Sequence, residues 1–174
     1  MNFALRDGTR DDAETLAALS IQVFLDTYAT EGVRPDLAQE AFTEYSIKAF
    51  AKRLRDRGRR FVVAEIGTGL VGFAEIVTKE GAAPIGGITG VRLERLYVQP
   101  GAQGAGVGKA LVERAEQVAA QGASKAIWLI AWDRNERALA FYARRGYSDV
   151  GAGTYTFQEM TYGTRVLAKR LAGT

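Results

Sequence analysis

Between residues 91 and 122 the chain changes periodicity across a run of glycines. Val91 to Val98 (V-R-L-E-R-L-Y-V) alternates apolar and polar residues, the period-two pattern of a strand. Val107, Leu111, Ala115 and Val118 fall on one stripe of a helix, and Gly122 stops it. Between the two stands Q-P-G-A-Q-G-A-G-V-G-K, residues 99–109. Gly104, Gly106 and Gly108 remove the Cβ atoms that would keep backbone N–H groups from converging on one anion. The helix behind them adds its free N–H groups and the positive end of its dipole. A pyrophosphate is the natural guest, and a plain glycine-rich turn is the alternative.

Two familiar phosphate loops fail here. A Walker loop needs glycine five residues before Gly108 and serine or threonine after Lys109; the chain has Gln103 and Ala110. A dinucleotide fingerprint needs its third glycine or alanine at 109 or 111, where Lys109 and Leu111 stand. What remains is Gln103, Gly104, Ala105, Gly106, Val107 and Gly108, followed by Lys109.

The rest of the pattern supplies the frame. Phe3 to Arg6 reads as a strand. Leu16, Leu19, Val23 and Phe24 mark a helix, and Pro35 opens a second one that continues through Arg57. Phe61 to Ile66, a G-T-G turn and Leu70 to Val77 read as a hairpin. Lys79 to Gly90 reads as a loop. Ala126 to Trp132 (A-I-W-L-I-A-W) is nearly all apolar and suits a central strand covered on both faces. Asn135 can cap a helix through Arg145, with Gly146 ending it. Tyr147 to Phe157 and Met160 to Leu171 close as a hairpin. The order β-α-α-β-β-β-α-β-α-β-β predicts an α/β (mixed α+β) domain spanning residues 1–174, with a mixed sheet and helices on both faces.

Composition removes whole classes of chemistry. The chain has no cysteine and no histidine, so disulfides, thiolate nucleophiles, Ser-His-Asp catalysis and histidine-based zinc sites are excluded. No metal is expected. A catalyst must use carboxylates, tyrosine, lysine, serine, water or backbone amides. The first residues lack an apolar segment, and no apolar run approaches the roughly 18 residues of a membrane span, so a cytoplasmic protein is expected.

The net charge of +3 is unevenly spread. Residues 1–47 carry nine acids and three bases, and residues 48–60 carry seven bases and one acid. The basic run is a solvated helix face, a nucleic-acid patch or an anchor for a phosphorylated ligand. The near-neutral total speaks against a dedicated nucleic-acid binder.

Two segments carry a resemblance. L-E-R-L-Y-V-Q-P-G-A-Q-G-A-G-V-G-K-A-L resembles the acetyl-CoA motif [QR]-x-x-G-x-[GA] of the GNAT superfamily of N-acetyltransferases. N-E-R-A-L-A-F-Y-A-R-R-G-Y is similar to that family's N-x-x-A-x-x-F-Y-x-x-x-G-[FY]. They stand in family order, with one apolar strand between them, and the likeness is strongest over Leu93 to Tyr147. It implies a single-domain fold with a central, largely antiparallel sheet of about seven strands and a splayed central strand pair. It implies an acetyl-CoA-binding core over about 91–147 and an acceptor-side region over about 9–60.

The same resemblance implies roles. Pantetheine would pair with the backbone of Leu96, Tyr97 and Val98, and the N–H near Val98 would polarise the thioester carbonyl. Gln103 to Lys109 would hold the pyrophosphate. Asn135 would hydrogen-bond the pantetheine arm, cap its helix, or both; Ala138 and Phe141 would line the cofactor. Tyr142 would donate a proton to the departing sulfur; the alternative is a core aromatic, the role expected of Phe141. Arg144 or Arg145 would meet the 3′-phosphate or be merely solvated. Glu94, on the same strand face as Leu96, is the candidate base, and an ion pair with a neighbouring arginine is its alternative. Tyr28 and Tyr155 are candidates for the acceptor side.

The acidic N-terminal region suits a cationic amine. D-T-Y-A at Asp26 to Ala29, I-A-W-D-R-N-E-R-A-L-A-F-Y and T-Y-T-F are similar to the bacterial spermidine/spermine acetyltransferase branch. The expected partner is thus a small-molecule amine, with no nucleic acid and no membrane, and a homodimer is left open. Rival readings are a protein N-terminal or lysine acetyltransferase, an antibiotic-modifying one, or a non-catalytic acyl-CoA-binding module.

Overall fold

The computed structural model describes residues 2–157 and 160–171. Seven strands form one sheet in the order β1-β2-β3-β4-β5-β7-β6. They are β1 (Ala4–Asp7), β2 (Arg59–Ile66), β3 (Gly69–Ala82), β4 (Thr89–Val98), β5 (Ala126–Trp132), β6 (Ser148–Phe157) and β7 (Met160–Arg170). The helices are α1 (Ala13–Tyr28), α2 (Pro35–Glu44), α3 (Ile47–Arg53), α4 (Val107–Gln121) and α5 (Glu136–Ala143). β4 and β5 run parallel, whereas β1–β2, β5–β7 and β6–β7 are antiparallel. The expected fold class is the observed one.

Three elements depart from the expectation. The helix predicted from Pro35 to Arg57 is two helices. Tyr45 leaves helical geometry, and Ser46 is extended, its Oγ accepting a hydrogen bond from the Ala49 N–H at 3.2 Å. Serine competes with the helical backbone in this way, so it starts a new helix. β3 continues to Ala82, well into the stretch read as a loop. Tertiary partners hold it there: Trp128 Nε1 donates to the Gly81 carbonyl, and Ser124 Oγ to Glu80. α5 ends at Ala143, two residues early, and Gly146 takes a left-handed φ of +80° just beyond it.

The chain forms two compact units, residues 1–76 with 95–115, and residues 77–94 with 116–174. In the first unit α1, α2 and α3 bury Leu16, Leu19, Phe24, Leu37 and Phe50 against Phe61, Val63 and Phe73. Gly72 lies on the opposite face of β3 from Phe73. A Cβ there would meet the Tyr97 carbonyl, Leu111 and Val107, so glycine is required where α4 and β4 close in. β3 is therefore covered by helices on both faces.

In the second unit β5 pairs with β7 along its whole length, from Ala126↔Arg170 to Trp132↔Thr164. Its ladder with β4 holds only Val91↔Ile127 and Arg92↔Trp128. Leu93 and Glu94, and Leu129 to Trp132, stand outside that ladder. β5 is buried from Ala126 to Leu129 only, and Ile130 is exposed, so the expectation of cover along the whole strand fails at its C-terminal end.

Candidate active site

The residues singled out from the sequence are divided between the two units. The first unit holds Leu96 to Val98 and the glycine loop. Pro100 to Ala102 form a 3-10 turn, and Gln103 then swings its side chain back, Nε2 donating to the Val98 carbonyl at 3.0 Å. Loop and strand end are thus tied by one hydrogen bond. Gly104 and Gly106 have φ of +82° and +88°, a region L side chains rarely adopt. A Cβ at either would meet nothing within 4 Å, so the glycines serve the backbone turn and leave open space above it. Val107 is buried and starts α4. The first helical bond runs from the Ala110 N–H to the Gly106 carbonyl, and the N–H groups of Val107, Gly108 and Lys109 have no carbonyl a turn back to bind. Lys109 stands 3.8 Å from Glu113 in an exposed pair. Open space, free N–H groups and a helix start fit a pyrophosphate.

Tyr97 points its ring to the α1–α3 side, against Phe73 and Tyr45. Its hydroxyl lies 2.8 Å from that of Tyr45. Arg95, on the same strand face, ion-pairs with Glu75 at 2.6 Å and Glu44 at 3.2 Å. Glu75 has no exposed surface and takes a second guanidinium, Arg59, at 2.5 Å. Arg53 joins through Glu44 at 2.6 Å. The basic run is therefore split: Arg53 and Arg59 turn inward, whereas Lys48, Lys52, Arg55, Arg57 and Arg60 are exposed. Sequence reading passed over Glu75, Arg95 and Tyr45. The one signal was a glutamate inside the apolar run of β3, where a charge needs a partner. Tyr28 is half-buried and packs on Phe24 with ring centroids 5.0 Å apart.

The second unit holds Glu94, Asn135, Ala138, Phe141 and Tyr142. Glu94 Oε2 is 2.9 Å from Arg92 Nε, so the ion pair weighed against catalysis is present. Arg92 also lies over the Trp128 ring, 5.3 Å from its centroid. Asn135 caps α5, its side chain accepting from the Ala138 N–H at 3.0 Å. Tyr142 is buried, edge-on to Phe141 and Tyr147. Burial holds its phenol above the usual tyrosine value, and Arg145 opposes this only partly. Phe141, expected in the core, is half-buried, and Tyr142 beside it is the buried ring. The Arg145 guanidinium lies over the Phe141 ring, 3.6 Å from its centroid, and its Nη1 donates to the Phe141 carbonyl at 2.8 Å. Arg144 is exposed, and so is Tyr155 on β6. Among the described residues no cluster of three or more metal-ligating acids exists, and no helix is long and apolar enough to cross a membrane.

The family model described as "Acetyltransferase (GNAT) family" matches residues 23–147. An uncharacterized N-acetyltransferase of Mycobacterium bovis is 30% identical over 145 residues, 83% of this chain and 88% of that one. The crystal structure of a PaiA N-acetyltransferase from Thermoplasma acidophilum in complex with coenzyme A superposes with a TM-score of 0.79 at 21% identity, covering 98% of this chain and 99% of that one. A GCN5-related N-acetyltransferase from Rhodopseudomonas palustris gives a TM-score of 0.73 at 25% identity, covering 98% and 97%.

Proposed function

The chain belongs to the acetyltransferase (GNAT) family, and from that premise we propose that it moves the acetyl group of acetyl-CoA to a primary amine of a small, polyamine-like cation by direct attack in a ternary complex. The observation that carries the acyl-donor part is the loop at Gln103 to Lys109, with two left-handed glycines over open space and the unpaired first turn of α4. Residues of about 91–147 serve acetyl-CoA in this reading, and those of about 9–60 the acceptor. The working compartment is the cytoplasm.

Bound acetyl-CoA supplies an activated carbonyl and a thiolate leaving group. The chain's own residues do the rest. The Val98 N–H is the donor for the acyl oxygen, and Gln103 fixes the peptide plane beyond it through the Val98 carbonyl. Tyr142 keeps its O–H at neutral pH because burial disfavours the phenolate, so it has a proton to give to sulfur. Glu94 is the base, taking the amine's proton through water, with Arg92 orienting its carboxylate. Asn135, Ala138 and Phe141 line the pantetheine side.

The acceptor part rests on charge. Asp7, Asp12, Asp36 and Glu44 are engaged by arginines, which removes four of the nine N-terminal acids from the field. Asp11, Glu14, Asp26 and Glu31 are exposed and remain to concentrate a cation.

The test incubates the protein with acetyl-CoA and a panel of amines and follows free thiol. Spermidine should react faster than neutral or acidic amino acids. Its kcat/KM should fall with salt, mainly through KM, as exposed charges are screened over about 8–10 Å. Glu94→Gln should lower kcat by about 100-fold, the scale of a lost general base. Peptides or aminoglycosides outrunning spermidine, with no salt effect on KM, would sink the acceptor and leave acetyl transfer standing. No thiol release with any amine would count against transfer itself.

A further inference from the structure

Three large apolar side chains of β5, β6 and β7 stand in solvent: Ile130, Tyr155 and Met160 are 39%, 48% and 46% exposed. We propose that this face of the sheet receives the second, non-reacting ammonium of a di- or polyamine acceptor over the rings of Trp132, Tyr162 and Tyr155. The proposal rests on the acetyltransferase reading, with Glu94 meeting the reacting amine, and adds where the acceptor's other charge goes.

Register puts these residues on one face. β5 pairs with β7 at Trp128↔Ala168, Ile130↔Val166 and Trp132↔Thr164, and β7 pairs with β6 at Thr164↔Gly153 and Tyr162↔Tyr155. Opposed side chains of an antiparallel pair share a face, and so do residues two apart on a strand. One end of this face is covered, where Trp128, Val166 and Ala168 pack with Ala83, Ile85 and Ile88. Ile85 carries the cover as far as Gly153, whose Cβ, if it had one, would meet Ile85 Cδ1 at 3.4 Å. Past that rung Trp132 and Tyr162 are half-buried and Tyr155 is exposed, so the rings are open to a ligand from solvent.

Glu94 stands on the same face. Arg92 lies over the Trp128 ring, and its Nε is 2.9 Å from Glu94 Oε2, which brings the three side chains together. β4 and β5 run parallel, so Glu94 and Trp132 both lie beyond the last rung, Arg92↔Trp128, toward the C-terminal ends of the two strands. An acceptor with its reacting amine at Glu94 has the open rings ahead of it on the same side of the sheet.

The rings set the sign of the tail. An aromatic face carries negative potential, which attracts an ammonium and repels a carboxylate. The five open residues, Ile130, Trp132, Tyr155, Met160 and Tyr162, are all uncharged, so none of them repels a cation. Arg165 alternates to the opposite face of β7 and pairs with Asp149 at 2.6 Å. Ile130 and Met160 give the methylenes of the chain an apolar bed.

The test compares spermidine with n-octylamine, a monoamine of similar length. It uses the parent, the double variant Tyr155→Leu with Tyr162→Leu, and the double variant Tyr155→Phe with Tyr162→Phe. Thiol release gives kcat/KM, and calorimetry on the CoA-saturated protein gives Kd. The parent should favour spermidine by about tenfold, the scale of a cation over partly desolvated rings. The leucine variant should lose most of that preference. The phenylalanine variant keeps both rings and should hold the preference within about threefold. A parent that prefers n-octylamine would make the face an apolar site and overturn the proposal. So would a folded leucine variant with the parent's preference, or a parent dimer that dissociates in the leucine variant, which would make a second copy the occupant. Ring-dependent spermidine binding in a protein that releases no thiol would keep this inference and sink acetyl transfer. Thiol release with a spermidine preference that ignores the rings would do the reverse.

Discussion

Nη1 of Arg95 stands 2.6 Å from Oε2 of Glu75, a carboxylate with no exposed surface. The pair joins neighbouring strands β3 and β4, and Arg59 on β2 completes it from the other side. A carboxylate fully removed from water is tolerated only when paired and hydrogen-bonded, and both Glu75 oxygens are.

Removing one partner should therefore cost more than an ordinary surface substitution. Glu75→Gln keeps the shape and removes the one carboxylate shared by Arg59 and Arg95, leaving Arg95 only the longer contact to Glu44 and Arg59 only that to Asp56. We expect a loss of about 3–5 kcal/mol of stability, read from urea unfolding. A loss under about 1 kcal/mol would show that water already screens the pair.

The glycine loop makes a sharper prediction. Gly106→Asp places a carboxylate in the open space above a left-handed residue, where the pyrophosphate is proposed to sit. Asparagine and aspartate tolerate this conformation better than most residues, so the fold should survive. CoA affinity, measured by calorimetry, should drop at least tenfold. A folded variant that binds CoA like the parent would remove the loop from the donor site.

Tyr142→Phe deletes one hydroxyl and keeps the buried ring. The rate constant kcat should fall about 10- to 100-fold, with acetyl-CoA affinity nearly intact. Because burial pushes the phenol upward, its deprotonation should not shape the rate profile below about pH 10 in the parent. Equal kcat in parent and variant at every pH would leave Tyr142 as a packing residue.

At the other end of the chain, Asp12 predicts acid sensitivity. Two hydrogen bonds of 2.8 Å from Arg6, with the Thr9 N–H at 2.7 Å, hold its carboxyl below the usual carboxylate value against the opposing effect of burial. A lowered folded-state value means stability that is fully present above about pH 4, the unfolded carboxylate value, and lost as pH falls through the folded one. Asp12→Asn should cost about 1–3 kcal/mol at pH 7 and progressively less below pH 4. A cost independent of pH would mean that the charge is not what matters.

Local features were legible in the sequence because their causes are local. Alternation placed β4, apolar spacing placed α4, and Asn135 could be named as a cap from its position before the helix. Boundaries failed where a competing local group or a distant partner intervened. Ser46 broke the predicted long helix through its own side chain, and Trp128 and Ser124 held β3 together across the supposed loop at residues 79–82. Phe141 is half-buried where a core ring was expected, because adjacent residues on a helix face different ways and composition does not say which way is inward.

By itself, the sequence determined the strand, the glycine-rich turn and the helix that follows, together with the family they mark, since each depends on residues within a turn or two of one another. It also excluded histidine and cysteine chemistry outright. Tertiary structure alone decided the partnerships. Glu75 meets Arg95 across 20 residues and Tyr45 meets Tyr97 across 52. No periodicity encodes such pairs. Which carboxylate is gripped and which two hydroxyls pair follow from strand order and helix packing, because charges and hydroxyls act over a few ångströms of space, whatever their separation along the chain.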